Sequence, residues 1–156
     1  MSGVDLRGFA WTLAAAERLR QHEADRAASR LAVAEHARRE LQADLQALES
    51  ARNGQLQFLA GCSSSPFDPA LQQQALRYLA QALGQEQQRQ QQEAQLLGRL
   101  ELAKKVRVDA QRRLDSVRKL RETALARYAQ DQIRRQAREA DLAWLARCPL
   151  KSEVSG

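Results

Sequence analysis

Apolar residues recur at intervals of three and four through two long proline-free stretches, residues 1–65 and 70–148, and this spacing predicts two helices. In the first stretch the apolar seam runs Leu13, Ala24, Ala27, Leu31, Ala34, Leu41, Leu45 and Leu48, interrupted by Glu17, Arg20 and Arg38. In the second, Leu71, Leu76, Leu79 and Leu83 form a stripe, and a glutamine-rich tract follows over residues 84–95. The spacing resumes at Leu96, Leu100, Ala103, Val106, Ala110, Leu114, Val117 and Leu120. Alanine at so many inward positions lets helices approach closely, yet each buries little against the ~0.8 kcal/mol that a buried methylene contributes.

Between the stretches lies the only cluster of structure breakers, Gly61-Cys62-Ser63-Ser64-Ser65-Pro66-Phe67-Asp68-Pro69. The predicted fold is all-α: a long two-helix antiparallel coiled-coil hairpin forming one domain over 1–156. Its helices span about 6–60 and 69–147, with a hinge at 61–68 and a disordered tail at 149–156. The first helix is expected to start between Asp5 and Phe9, and Asn53-Gly54 is the one early stop signal, since both residues tolerate the left-handed conformation. Asp68-Pro69 reads as an N-cap followed by proline at the first helical position, where its missing N–H costs nothing. Cys148-Pro149 stops the second helix. Folding about the hinge should bring together positions whose numbers total roughly 129. About 20 residues of the second arm, or about 30 Å, should then project beyond the first. That projection carries Ile133, Ala137, Ala140 and Trp144, spaced four, three and four.

Composition narrows the function classes. Aromatic content is 4% and charge 28%, and no run of Val, Ile, Thr and aromatics is long enough for a strand, which excludes α/β and all-β enzymes. No window of about 18 uncharged apolar residues exists, and the N-terminus lacks the basic-then-apolar order of an export signal, so a cytoplasmic protein is expected. Cys62 and Cys148 would lie about 115–120 Å apart in one hairpin and cannot pair within it. His22 and His36 stand fourteen residues apart without carboxylate or Cys in a ligand register, and no phosphate-cradling glycine loop occurs. No catalytic residue, cofactor or metal is expected.

Charge is unevenly placed. Residues 1–60 hold eight basic and eight acidic side chains, 61–98 two and three, and 99–147 fourteen and seven, so the net +6 resides in the second half of the second helix. Intrahelical pairs with Glu and Asp can absorb individual arginines, but the surplus favours an acidic partner, whether protein, nucleic acid or anionic lipid. Nucleic acid is disfavoured, because the basic segment has only Tyr128 and Trp144 as stacking platforms and no dense basic block leading into a leucine zipper. The glutamine tract is broken by Glu86, Arg89 and Glu93 and reads as a solvated helix face. The seven aromatics fall at the two ends of the expected hairpin: Phe58, Phe67 and Tyr78 by the hinge, and Phe9, Trp11, Tyr128 and Trp144 at the other end. Either these rings close frayed ends, or each end grips a partner.

Three segments carry a family resemblance: Leu13-Ala-Ala-Ala-Glu-Arg-Leu19-Arg20; Gln72-Gln-Gln-Ala-Leu76-Arg-Tyr-Leu79-Ala-Gln-Ala-Leu83; and Arg113-Leu114-Asp-Ser-Val117-Arg118-Lys119-Leu120-Arg121 with its end, Gln136-Ala-Arg-Glu139-Ala-Asp141-Leu-Ala143. Over nearly its full length the chain resembles the FliJ/YscO family, the stalk proteins of flagellar, injectisome and Hrp type III secretion systems. The resemblance implies a non-catalytic antiparallel coiled coil, peripheral at the cytoplasmic face of the secretion apparatus. Such a stalk stands in the bore of a hexameric secretion ATPase and couples it to a membrane export gate. It implies ATPase-ring contacts at Arg134, Arg135, Arg138 and Trp144, and export-gate contacts at Phe58, Leu76, Tyr78, Leu79 and Leu83. Escort chaperones are a further implied partner. The glycine- and serine-rich hinge departs from the family pattern, which bears most on the gate-facing positions. The alternative is a self-oligomerising structural coiled coil whose projecting segment packs on a second copy. A tether to anionic lipid or nucleic acid is a third, marked by steep salt dependence.

Overall fold

The computed structural model describes residues 6–61 and 68–148. They form two helices, α1 (Ala14–Gly61, 48 residues) and α2 (Pro69–Arg147, 79 residues), packed against each other as in a two-helix hairpin. Packing divides the chain into two compact units, one of Met1–His22 with Gln111–Gly156 and one of Glu23–Ala110. Most of the expected hinge at 61–68 and the tail at 149–156 lie outside the described residues, as does Cys62; Cys148 is a free, exposed thiol.

α2 begins where its sequence directs. The Asp68 carboxylate accepts a hydrogen bond from the Ala70 amide at 2.9 Å, which satisfies one orphan donor of the first turn, and the Asp68 carbonyl takes the Gln72 amide at 3.2 Å as the first intrahelical bond. Replacing Asp68 with Ala is expected to cost about 1 kcal/mol, and with Asn a few tenths, in urea denaturation followed by circular dichroism.

α1 starts later than expected, at Ala14 rather than between Asp5 and Phe9. Residues 6–13 form turns instead, with the Phe9 amide donating to the Leu6 carbonyl at 3.1 Å and the Ala14 amide to that of Trp11 at 3.3 Å. Tertiary contact overrides helix propensity here. The Phe9 ring meets Tyr128 edge-to-face, centroids 5.6 Å apart and planes at 61°. A Cβ on Gly8 would stand 2.5 Å from the Tyr128 hydroxyl, so the backbone passes the tyrosine where glycine leaves room.

Asn53-Gly54 does not stop α1, and no described residue has a positive φ. Arg52 and Gln55, on either side, are half-buried, and this packing holds the helical conformation through a locally weak site.

In the Glu23–Ala110 unit the seam of α1 runs Ala24, Ala27, Leu31, Ala34, Arg38, Leu41, Leu45, Leu48, Arg52 and Gln55. The facing seam of α2 runs Ala75, Leu79, Ala82, Glu86, Arg89, Glu93, Leu96, Leu100 and Ala103. Both alternate three and four, an unbroken heptad pattern. The expected Leu71–Leu76–Leu79–Leu83 stripe is therefore corrected: Leu71, Leu76 and Leu83 are exposed, and of the four only Leu79 enters the seam. Val106 and Leu120 are likewise exposed, as is Leu13 immediately before α1.

Facing partners also lie further along α2 than a total of 129 would place them. In the Glu23–Ala110 unit Arg52 pairs with Glu86, Asp44 with Arg89 and Gln42 with Glu93; in the other unit Glu17 pairs with Arg121 and Gln21 with Arg118. These totals run from 133 to 139. The cause is visible at the start of α2, where residues 68–74 are all exposed and the seam begins only at Ala75.

Nine apolar residues among those described are buried: Ala24, Ala27, Leu31, Leu41, Ala75, Ala82, Leu100, Ala110 and Leu114. Five are alanines, so the leucines dominate the hydrophobic contribution.

Candidate functional site

In the unit holding Gln111–Gly156, α2 outlasts its neighbour. Half-buried positions end at Gln132, and every residue from Ile133 to Cys148 is exposed. This unaccompanied segment starts later than the register of 129 implies, because the higher totals carry residues 6–13 further along α2 and set Gly8 and Phe9 against Tyr128. It is helical to its end because it lacks proline and glycine, and the Cys148 amide closes the last turn on the Trp144 carbonyl at 3.0 Å.

All four expected ring-contact residues lie on this segment, but not on one face. At 100° per residue, Arg135 and Leu142 continue the line of Leu114, Val117, Tyr128 and Gln132 in the α2 seam, whereas Arg138 is turned about 90° from it. Ile133, Ala137, Ala140 and Trp144 fall within about 60° of one another on the opposite side, and Arg134 lies between the two lines. Arg134 makes one ion pair, 3.9 Å to Asp131, with both groups well exposed; such a pair contributes little. Arg135 and Arg138 make no ion pair among the described residues. The segment thus presents guanidinium groups over a wide arc, and Trp144, 66% exposed, outside that arc.

The expected gate-contact residues lie in the Glu23–Ala110 unit. Phe58, Leu76, Tyr78 and Leu83 are exposed, and Leu79 is half-buried in the seam. Leu76 and Leu83 share one flank of α2, two turns apart, whereas Tyr78 stands on the other flank. The structure therefore gathers Leu76, Leu79 and Leu83 along one edge and separates Tyr78 from them.

The polar seam was not legible from apolar spacing. Arg52 donates to Glu86 at 2.7 Å across the helices, and Glu86 is only 8% exposed. Its second carboxylate oxygen and the Arg38 Nε are buried without a hydrogen-bond partner among the described residues. The only signal was heptad position, with Glu86 four residues beyond Ala82. A shallow groove of about 530 Å3 beside this seam is lined by Asp44, Ala47, Leu48, Gln85, Gln88, Arg89 and Gln92. Its polar groups are amides and the Arg89–Asp44 ion pair at 3.7 Å, which offer binding contacts rather than a nucleophile with its base.

No three His, Cys, Asp or Glu side chains among the described residues come together to hold a metal ion. His36 instead sits 3.3 Å from Glu40, one turn along the exposed face of α1. No described helix is long and apolar enough to cross a membrane. No family model, curated protein or solved structure matches the chain.

Proposed function

We propose that this chain is a non-catalytic central-stalk protein of a type III secretion system, coupling a hexameric secretion ATPase to the export gate at the cytoplasmic face of the membrane. The observation that carries the reading is the exposed helical segment Ile133–Cys148, with Arg134, Arg135 and Arg138 spread around a wide arc and Trp144 outside that arc. A ring surrounds its shaft, so a ligand for a ring must offer contacts in several directions. Long guanidinium side chains do this without one deep lock, and each can find carboxylates on successive subunits. An alanine-rich seam suits a shaft that must yield to torsion, because each position contributes little packing energy. Leu76, Leu83 and Phe58 supply exposed apolar contact for the gate, with Leu79 beneath them and Tyr78 on the adjoining flank. Escort chaperones are a further partner of this reading.

Binding to a purified secretion ATPase from the same cell tests the assignment of ends. Charge reversal at Arg134, Arg135 and Arg138 together is expected to weaken binding at least ~10-fold and to flatten its salt dependence. Replacing Leu76 and Leu83 with Asp should leave ATPase binding intact and abolish binding to the gate protein. Unchanged ATPase binding by the triple reversal would refute the ring-facing assignment.

A further inference from the structure

The outer stripe of the unaccompanied segment has a symmetry that the stalk reading does not use. Ile133, Ala137, Ala140 and Trp144 are spaced four, three and four, so the order of intervals is the same in either direction. Large side chains stand at both ends and alanines at the centre. Ile133 and Trp144 are 53% and 66% exposed, and both alanines are exposed.

We propose that this stripe is a self-association surface, on which the same segment of a second copy packs antiparallel about a two-fold axis passing between Arg138 and Glu139. In that arrangement Ile133 meets the partner's Trp144, Ala137 meets the partner's Ala140, and both contacts recur by symmetry. The central alanines let the helix axes approach to the short end of the usual range, about 8 Å, and bring the larger end residues into contact.

Charge selects this orientation. Arg134 and Asp141 occupy the same flank of the stripe at 100° per residue, and the antiparallel two-fold brings Arg134 near the partner's Asp141 and the reverse. A parallel, in-register pair would instead set Arg134 and Asp141 against the partner's neutral flank, where neither finds an opposite charge. The opposite flank, Gln132, Gln136 and Ala143, is neutral and permits either orientation. About three helical turns bury less than the ~1,200 Å2 of a stable specific interface, so the dimer is weak and reversible. It covers Trp144 while leaving Arg135 and Arg138 on the other side of the helix. The proposal stands independently of the stalk reading, since it rests on the stripe and its flanking charges alone.

Sedimentation equilibrium of the full chain under reducing conditions, from micromolar to several hundred micromolar, tests it. A reversible monomer–dimer equilibrium is expected. Asp141→Arg and Arg134→Asp should each weaken it by about 10-fold, because each places like charges together twice. The double variant Arg134→Asp/Asp141→Arg should restore the dissociation constant to within about 3-fold of the original. Circular dichroism checks that each variant keeps its helices. A chain that stays monomeric throughout the range overturns the proposal, as does a dimer indifferent to both single substitutions or one that the double variant fails to restore.

Discussion

Replacing Leu114 with Ala is expected to be among the most destabilising single truncations in the chain, lowering the unfolding free energy by about 2–4 kcal/mol. Leu114 is 1% exposed, the one large side chain fully enclosed among the described residues. Its neighbours in the α2 seam are Ala110 and Val117, which cannot fill the space it leaves. The seam draws on few leucines, so losing one removes a large share of the hydrophobic contribution near the basic segment. Val33→Ala is the control: Val33 is 69% exposed, and its truncation should move stability by no more than about 0.5 kcal/mol. Urea denaturation followed by circular dichroism reads both. A Leu114→Ala effect no larger than that of Val33→Ala would mean that α2 gains no stability from this seam position.

The second large effect concerns the Arg52–Glu86 pair. Removing Arg52 alone is expected to cost about 2–3 kcal/mol, toward the lower limit for a buried pair because the Arg52 side chain keeps 27% of its surface in contact with solvent. The cost arises mainly from Glu86, whose carboxylate would be left buried with neither oxygen bonded across the seam. Replacing both residues with Leu should restore the original stability or exceed it by ~1 kcal/mol, since an apolar pair at two heptad positions carries no desolvation penalty. A double-mutant cycle under urea measures the coupling, and a double variant as unstable as Arg52→Ala would contradict this account.

The same pair shows why part of the fold could be read from the sequence and part could not. The start of α2 at Asp68-Pro69 was legible because N-cap chemistry is local: the carboxylate reaches an amide two residues away whatever the rest of the chain does. The end of α2 at Arg147 followed equally from Pro149. The seam through the glutamine tract was not legible, because apolar spacing detects apolar residues, and there the inward positions are Glu86, Arg89 and Glu93. Leu76 and Leu83 drew attention by size, while Ala75 and Ala82, one position before each, carry the contact. The start of α1 depended on Phe9 meeting Tyr128, a contact between residues far apart in sequence that no local pattern encodes.

The candidate site divides in the same way. Placement of Arg134, Arg135, Arg138 and Trp144 on an exposed end of α2 was legible from the unequal lengths of the two helices. Their distribution around the helix follows from helical geometry once the seam is located, and locating it required the burial of Leu114, Val117 and Tyr128. For the gate-facing set, the separation of Tyr78 from Leu76 and Leu83 likewise depends on the seam lying at Ala75, Leu79 and Ala82.

The stalk reading is tested most directly by the hydrolysis rate of a purified secretion ATPase from the same cell, measured with and without this protein at a saturating ratio. A severalfold rise is expected with the native chain, and the basal rate with the Arg134, Arg135 and Arg138 charge-reversal variant. A rate that the native chain leaves unchanged would contradict it.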